Sequence, residues 1–282
     1  MSIIYLNGEF MPIENAKISP LDRGFLFGDG IYEFIPFFHG RPVGFDLHIQ
    51  RMLDGLAKIQ IKVGDIDWRN ILDQIISKNE GDELAVYIQV SRGADINRAH
   101  RFPTNIKPTI FIMTQPLAKE TNPDASTAKT YSIVTSLDKR WKHCDVKSTS
   151  LLGNILHFQH GYESKVDETL LFNSEGYLTE CSACNVFVIK GNKIITPILD
   201  KQILPGVTRR IVINAVNSSD KYSIEERNVN LEEARLADEI WITSSSKQIA
   251  PVIELDGNAV GNGKVGAVWE ECSKLFDKIK YL

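Results

Sequence analysis

Short apolar runs, punctuated by glycine and asparagine turns, alternate along this chain with longer stretches whose apolar residues recur at helical spacing. Residues 3–6 and 10–13 flank Asn7-Gly8 and predict a hairpin, because that dipeptide suits a two-residue turn with positive φ. A strand over 31–38 turns at His39-Gly40 into a short strand over 43–45. Asp46 then reads as the cap of a helix carrying Leu47, Ile49, Leu53, Leu56 and Ile59. A second helix over 67–78 leads to residues 83–90, which alternate poorly and so read as a strand covered on both faces. Residues 108–115 are a further strand. Behind them, 116–130 hold two prolines, many small polar residues and no apolar period. That composition predicts a boundary: a small domain over 1–117, a linker over 118–130 and a larger domain over 131–282.

The second half again mixes the two periods. Strands are expected at 131–135, 168–172, 178–188, 194–195, 239–243 and 252–255, several closed by Gly-containing turns. One helix pattern follows residue 150, with Leu151, Leu152, Ile155, Leu156 and Phe158 on or near one side; others run to Asn217 and over 264–279. The expected class is α/β, or α+β.

Composition narrows this little. With 282 residues, 43% hydrophobic and 24% charged, the chain has ample material for a core. A net charge of −4 gives no reason to expect nucleic acid or an anionic membrane. No basic-then-apolar leader opens the sequence and no apolar run approaches the ~18 residues of a membrane span. Four cysteines do not suggest a disulfide-stapled protein. The expectation is a cytoplasmic protein without membrane or nucleic-acid partners.

Charge and chemistry concentrate in a few places. Lys147 lies between a strand and a helix start; it reads either as a solvated loop residue or as a cleft lysine whose amine is neutral often enough to attack a carbonyl. The Gly-containing segment 91–103 holds Arg92, Arg98, His100 and Arg101, a solvated basic loop or a site for a small carboxylate. Glu180 stands on a strand. Arg51, the helix start at Val207-Thr208 and the hydroxyls of Ser244-Ser245 are candidate anion binders. The glycines of 24–30 match no phosphate-loop spacing. An amine, an anion cradle and a carboxylate are together what a phosphorylated pyridine aldehyde requires: imine formation, phosphate binding, and a partner for the ring nitrogen.

Six blocks carry a family resemblance over nearly the full length. They are Asp22-Arg23-Gly24 with Phe27-Gly28-Asp29-Gly30-Ile31-Tyr32-Glu33; Asn97-Arg98-Ala99-His100-Arg101-Phe102-Pro103; and Trp141-Lys142-His143-Cys144-Asp145-Val146-Lys147-Ser148 with Leu151-Leu152-Gly153-Asn154. Then come Leu178-Thr179-Glu180 with Asn185-Val186-Phe187, Ile203-Leu204-Pro205-Gly206-Val207-Thr208-Arg209, and Thr243-Ser244-Ser245. The chain resembles the fold-type IV pyridoxal-phosphate enzymes (class IV aminotransferases), most closely the bacterial D-amino-acid transaminases.

The resemblance implies a two-domain fold with a small N-terminal α/β domain and a larger, β-barrel-like C-terminal domain flanked by helices. It implies pyridoxal 5′-phosphate as cofactor, with Lys147 as the lysine that carries it and shuttles the substrate proton, and Glu180 as the carboxylate on the pyridine nitrogen. Arg51, Val207, Thr208, Ser244 and Ser245 match the phosphate cradle, and Leu204 the residue packed on the ring. Tyr32, Arg98 and His100 match the trap for a D-amino acid's carboxylate, the last two reaching across a homodimer with shared active sites. D-alanine and 2-oxoglutarate are the implied substrates; an aminodeoxychorismate lyase, or a branched-chain or (R)-amine transaminase, is the alternative within the fold. Two departures stand out: Cys181-Ser182-Ala183-Cys184 replaces a glycine and serine run, and Pro36 stands where the group often has lysine. The Cys-x-x-Cys spacing has no second pair, so no metal is expected.

Overall fold

The structure, a computed structural model, describes residues 2–120 and 122–282. The chain divides into two compact units, Met1–Glu120 with Val146–Leu151, and Thr121–Asp145 with Leu152–Leu282.

The first unit is a six-stranded sheet with helices packed against it. Its elements are β1 (Ile3–Leu6), β2 (Glu9–Pro12), α1 (Arg23–Phe27), β3 (Gly30–Phe38), β4 (Arg41–Pro42), α2 (Phe45–Lys58), α3 (Trp68–Ser77), β5 (Glu83–Ser91) and β6 (Thr109–Pro116), with strand order β2-β1-β6-β5-β3-β4. The β1–β2 hairpin turns on Asn7 (φ 52) and Gly8 (φ 107), the left-handed pair that the dipeptide predicted. β3 and β5 pair antiparallel along their whole lengths, from Gly30–Ser91 to Phe38–Glu83. Ile31, Ile35, Phe37, Val86, Ile88 and Val90 meet Met52 and Leu56 of α2 and Leu72 and Ile75 of α3 in one core.

Two local expectations are corrected here. Residues 43–45 form no strand: the edge strand is Arg41–Pro42, and Gly44, at φ 59, already begins α2, so Asp46 lies in the first turn rather than at the cap. A glycine free to turn left-handed starts the helix two residues before the side-chain cap that the sequence offered. β5 is also not covered on both faces, because Tyr87 and Gln89 are only half-buried.

Val146–Leu151 belongs with this first unit although 25 residues of the second unit precede it. The Tyr32 amide donates to the Lys147 carbonyl (3.0 Å), Thr149 N–H donates to Gly30 O (3.0 Å), Ser148 bridges Ile31, and Val146 enters the core. The backbone that carries Lys147 is therefore fixed as an extra edge segment on β3. Nothing in the polarity of 146–151 signals which sheet it joins.

The second unit contains β7 (Tyr131–Leu137), α4 (Leu152–Glu163), β8 (Glu168–Phe172), β9 (Leu178–Cys181), β10 (Asn185–Lys190), β11 (Lys193–Thr196), α5 (Val207–Asn217), β12 (Ser223–Glu226), α6 (Leu231–Arg235), β13 (Glu239–Ser244), β14 (Gln248–Leu255), β15 (Asn258–Ala259) and α7 (Ala267–Ile279). Its nine strands form one mixed sheet, β12-β11-β10-β13-β14-β7-β8-β9 with β15 on β14, curled into a half-barrel. Val186, Val188, Ile240, Ile242, Leu170 and Ile133 line the main core, while α5 and α7 pack on each other and on β13.

The apolar side expected in the helix after residue 150 is present in α4 but is not turned to the chain's own core. Only His157 and Gly161 of that helix are buried, whereas Leu152 (69%), Ile155 (58%), Leu156 (62%) and Tyr162 (72%) are exposed along one side. The described residues also include no helix long and apolar enough to cross a membrane.

Candidate functional site

The sequence-predicted residues fall into three groups, two in the first unit and one in the second. In the first group, Lys147 places its Nζ 4.0 Å from the centroid of the Tyr32 ring. On the other side of β3, Glu33 is completely buried and holds Arg51 with two parallel bonds, Arg51 Nε to Oε1 (2.7 Å) and a terminal nitrogen to Oε2 (2.8 Å). His48 Nδ1 is 2.7 Å from the same Oε2; a carboxylate only accepts, so Nδ1 carries the hydrogen.

Burial alone would raise the Glu33 carboxyl, but the Arg51 charge and then His48 outweigh it and hold it well below the usual carboxylate range. Burial, with the Arg51 and Lys147 charges, holds His48 below the usual histidine range against the pull of Glu33. The planar guanidinium of Arg51 is thus locked in orientation before any ligand arrives. The sequence reading assigned Arg51 but missed Glu33 and His48. The signal that was available is the spacing: His48 and Arg51 are three apart on one face of α2.

Arg98 and His100 form the second group, on the irregular segment between β5 and β6. Arg98 lies over the Phe27 ring at 4.8 Å, and the His100 ring is 5.5 Å from it. Both side chains are exposed. The structure brings these two together at Phe27; Tyr32 belongs to the Lys147 group instead.

In the second unit, Glu180 is 5% exposed on β9 and accepts from Arg140 (2.5 Å) at Oε1 and from the Asn185 amide (2.9 Å) and Leu204 N–H (3.0 Å) at Oε2. Burial raises its carboxyl, and Arg140 is the main opposing influence. Arg140 is oriented in turn by Asp138 (2.8 Å); burial would lower its guanidinium, yet Asp138 and Glu180 keep it fully charged and above its ordinary value. Asp138 also accepts from Thr179 Oγ1 (2.8 Å). Asn185 links this carboxylate to the rest of the group, since its amide also donates to Leu204 O (3.0 Å) and its backbone pairs with Thr243. Arg140 sits seven residues before Lys147 and was not assigned a role from sequence, because its partners are 2 and 40 residues away.

The start of α5 completes this group. Gly206 caps the helix without a side-chain bond, so the first-turn N–H groups of Val207 and Thr208 keep their donor capacity and the positive end of the helix dipole. A Cβ on Gly206 would fall 1.9 Å from Asn185 Oδ1, so only glycine permits the approach. Thr243 Oγ1 is buried and without a hydrogen-bond partner among the described residues. Ser244 Oγ accepts from Lys247 N–H (3.1 Å) and lies 3.3 Å from Ser246 Oγ. Cys181 and Cys184 are buried nearby, their backbones joined N–H to O at 2.6 Å, and burial pushes the Cys184 thiol up to about 12 and Cys181 well up. Such thiols are not thiolates near neutrality, so they act as packing rather than as a redox pair.

The amino-transferase class IV family matches residues 30–255. A D-alanine aminotransferase of Staphylococcus haemolyticus is 32% identical over 281 residues, covering 99% of this chain and 98% of the relative. One from Staphylococcus aureus is 34% identical over 284 residues, with the same coverage. Among solved structures, the branched-chain amino acid aminotransferase from Escherichia coli superposes with a TM-score of 0.86 at 21% identity, covering 99% of this chain and 94% of that one. At that identity the likeness concerns the fold.

Proposed function

The chain belongs to the class IV aminotransferases, and from that premise we propose that it is a pyridoxal-phosphate-dependent transaminase of D-amino acids, moving the amino group of D-alanine to 2-oxoglutarate to give pyruvate and D-glutamate. The curated relatives, similar along nearly the whole chain, carry the choice of substrate. The residues present fit the cofactor on three observations made among the described residues: the uncapped start of α5, the unpartnered Thr243 hydroxyl, and a buried Glu180 whose Oε1 accepts one bond.

Val207 and Thr208 N–H groups, with Ser244, Ser245 and Arg51, would hold the phosphate. Glu180 would face the pyridine nitrogen and hold a proton on it, with Arg140 opposing the rise that burial gives its carboxyl. Leu204 would flank the ring. When bound, the cofactor supplies an electron sink for the charge left at the substrate Cα. Lys147 Nζ would supply the amine that anchors the cofactor, and would hold and return the substrate Cα proton. Tyr32, Arg98 and His100 would clamp the α-carboxylate, and the position of that clamp sets which Cα face meets Lys147.

A panel of half-reactions followed by cofactor absorbance tests the reading. D-Alanine is expected to convert the cofactor to its amine form and 2-oxoglutarate to restore it, while L-leucine reacts at least about tenfold more slowly. Turnover of L-leucine without turnover of D-alanine would sink it in favour of the branched-chain alternative.

The exposed apolar side of α4, and Phe25 (77%) and Ile96 (87%) in the first unit, support a homodimer in which Arg98 and His100 serve the partner's site. Ile155→Asp with Leu156→Asp should then give monomers that have lost most activity but melt as folded protein, as read by sedimentation and circular dichroism. An active wild-type monomer at micromolar concentration would overturn this.

A further inference from the structure

We propose that Phe27 and Arg23 are positioning residues for Arg98 and His100, forming with Asp29 and Arg92 a platform that fixes the carboxylate clamp. The proposal rests on the clamp reading above and goes beyond it, to what holds the clamp.

Arg98 and His100 lie on a stretch, 95–108, that has no strand or helix and whose side chains are largely exposed. Such a segment does not hold a charged pair in one geometry by its own backbone. What holds it comes from α1 and its C-cap. Arg23, 4% exposed, donates to the carbonyls of Ala99 (2.5 Å) and His100 (3.3 Å), the two residues that follow Arg98. Its third nitrogen, Nε, donates to Asp29 Oδ2 (2.7 Å). Asp29 is held from the other side by Arg92, Nε to Oδ2 (2.8 Å) and a terminal nitrogen to Oδ1 (2.9 Å), and Arg92 also donates to Ile59 O (2.7 Å) at the end of α2. The planar fork of Arg23 is therefore set by a carboxylate that is itself fixed to the sheet and to α2, leaving its other two N–H directions aimed at the loop.

Phe27 is the second anchor. Its ring has the Arg23 guanidinium at 4.7 Å, the Arg98 guanidinium at 4.8 Å and the His100 ring at 5.5 Å. One aromatic ring thus contacts both clamp residues and the arginine that grips their backbone. Gly28, at φ 66, makes the turn that brings Asp29 back to Arg23. The Arg23…Phe27-Gly28-Asp29 block thus meets the Arg98-x-His100 block in space although about seventy residues separate them in the chain.

The test uses the holoenzyme and four single variants with one double. Phe27→Leu should raise KM for both D-alanine and 2-oxoglutarate by roughly tenfold with a much smaller fall in kcat, and should lower the D-to-L ratio. Phe27→Tyr, which keeps the ring, should behave as wild type. Arg98→Ala should itself raise KM; if it does not, the clamp reading fails. In the Arg98→Ala background, Phe27→Leu should add little, because the two act through one interaction. If Arg98→Ala raises KM while Phe27→Leu does not, or if the two effects multiply in full, the platform is overturned and the clamp stands. Should Phe27→Leu fail to fold, Arg23→Lys decides: it keeps the charge but loses the fork, and the proposal requires the same KM-selective loss.

Discussion

Replacing Lys147 by alanine should lower turnover of D-alanine with 2-oxoglutarate by about 10³-fold or more while leaving the fold intact. The expectation combines two losses, the amine that anchors the cofactor and the base that moves the Cα proton, the second alone worth about 10²–10⁴-fold. The fold should survive because Lys147 enters the first unit through its backbone: Tyr32 N–H donates to its carbonyl, and the neighbouring Val146 side chain is the one in the core. Stopped-flow absorbance and a thermal melt on one preparation check both halves. A variant that melts normally and retains a tenth of the activity would remove Lys147 from the chemistry.

Glu33→Gln should destabilise the protein by about 3–5 kcal/mol, the usual consequence of removing one partner from a buried, bidentate pair. Glu33 is fully buried against Arg51 and His48, so the neutral amide takes away the counter-charge that faces both. The pH dependence has a definite sign. The folded carboxyl is depressed below its unfolded value, so the stability it contributes is complete above the unfolded carboxylate range, about pH 4.3, and is lost as pH falls towards the folded value. The gap between wild type and variant in urea titrations should therefore be full at about pH 7 and narrower at about pH 3. An equal gap at both would show that packing, not the ion pair, is what the substitution removes.

The strands and most helices were legible because each announced itself over a few residues: Asn7-Gly8 turns the first hairpin, Asp67 stands at the start of α3 and accepts from Asn70 N–H, and β3 and β5 are mostly apolar. What could not be read is where a polar residue finds its partner. Glu33 lies in a glycine-rich aromatic block and looks like a strand-end acid until α2 folds back with His48 and Arg51. Arg140 is seven residues from Lys147, yet its charge serves Glu180. The α4 stripe was legible as a stripe, but a periodic pattern does not distinguish a face turned to the chain's own core from one turned to another molecule. Nor did composition reveal that residues 146–151 pair with β3 rather than with the half of the chain they are embedded in.

That last arrangement has a consequence for synthesis. The first unit is not a continuous stretch of gene: its final segment ends at Leu151, 31 residues after Glu120. A ribosome adding ~5–20 residues per second reaches that point roughly 2–6 s after the N-terminal part is complete. Throughout that interval the edge of β3 at Tyr32 lacks its acceptor and the core lacks Val146. The nascent small unit thus waits, one strand edge open, for the very residues that carry the lysine. A protein truncated anywhere in the intervening stretch lacks both a finished first unit and Lys147.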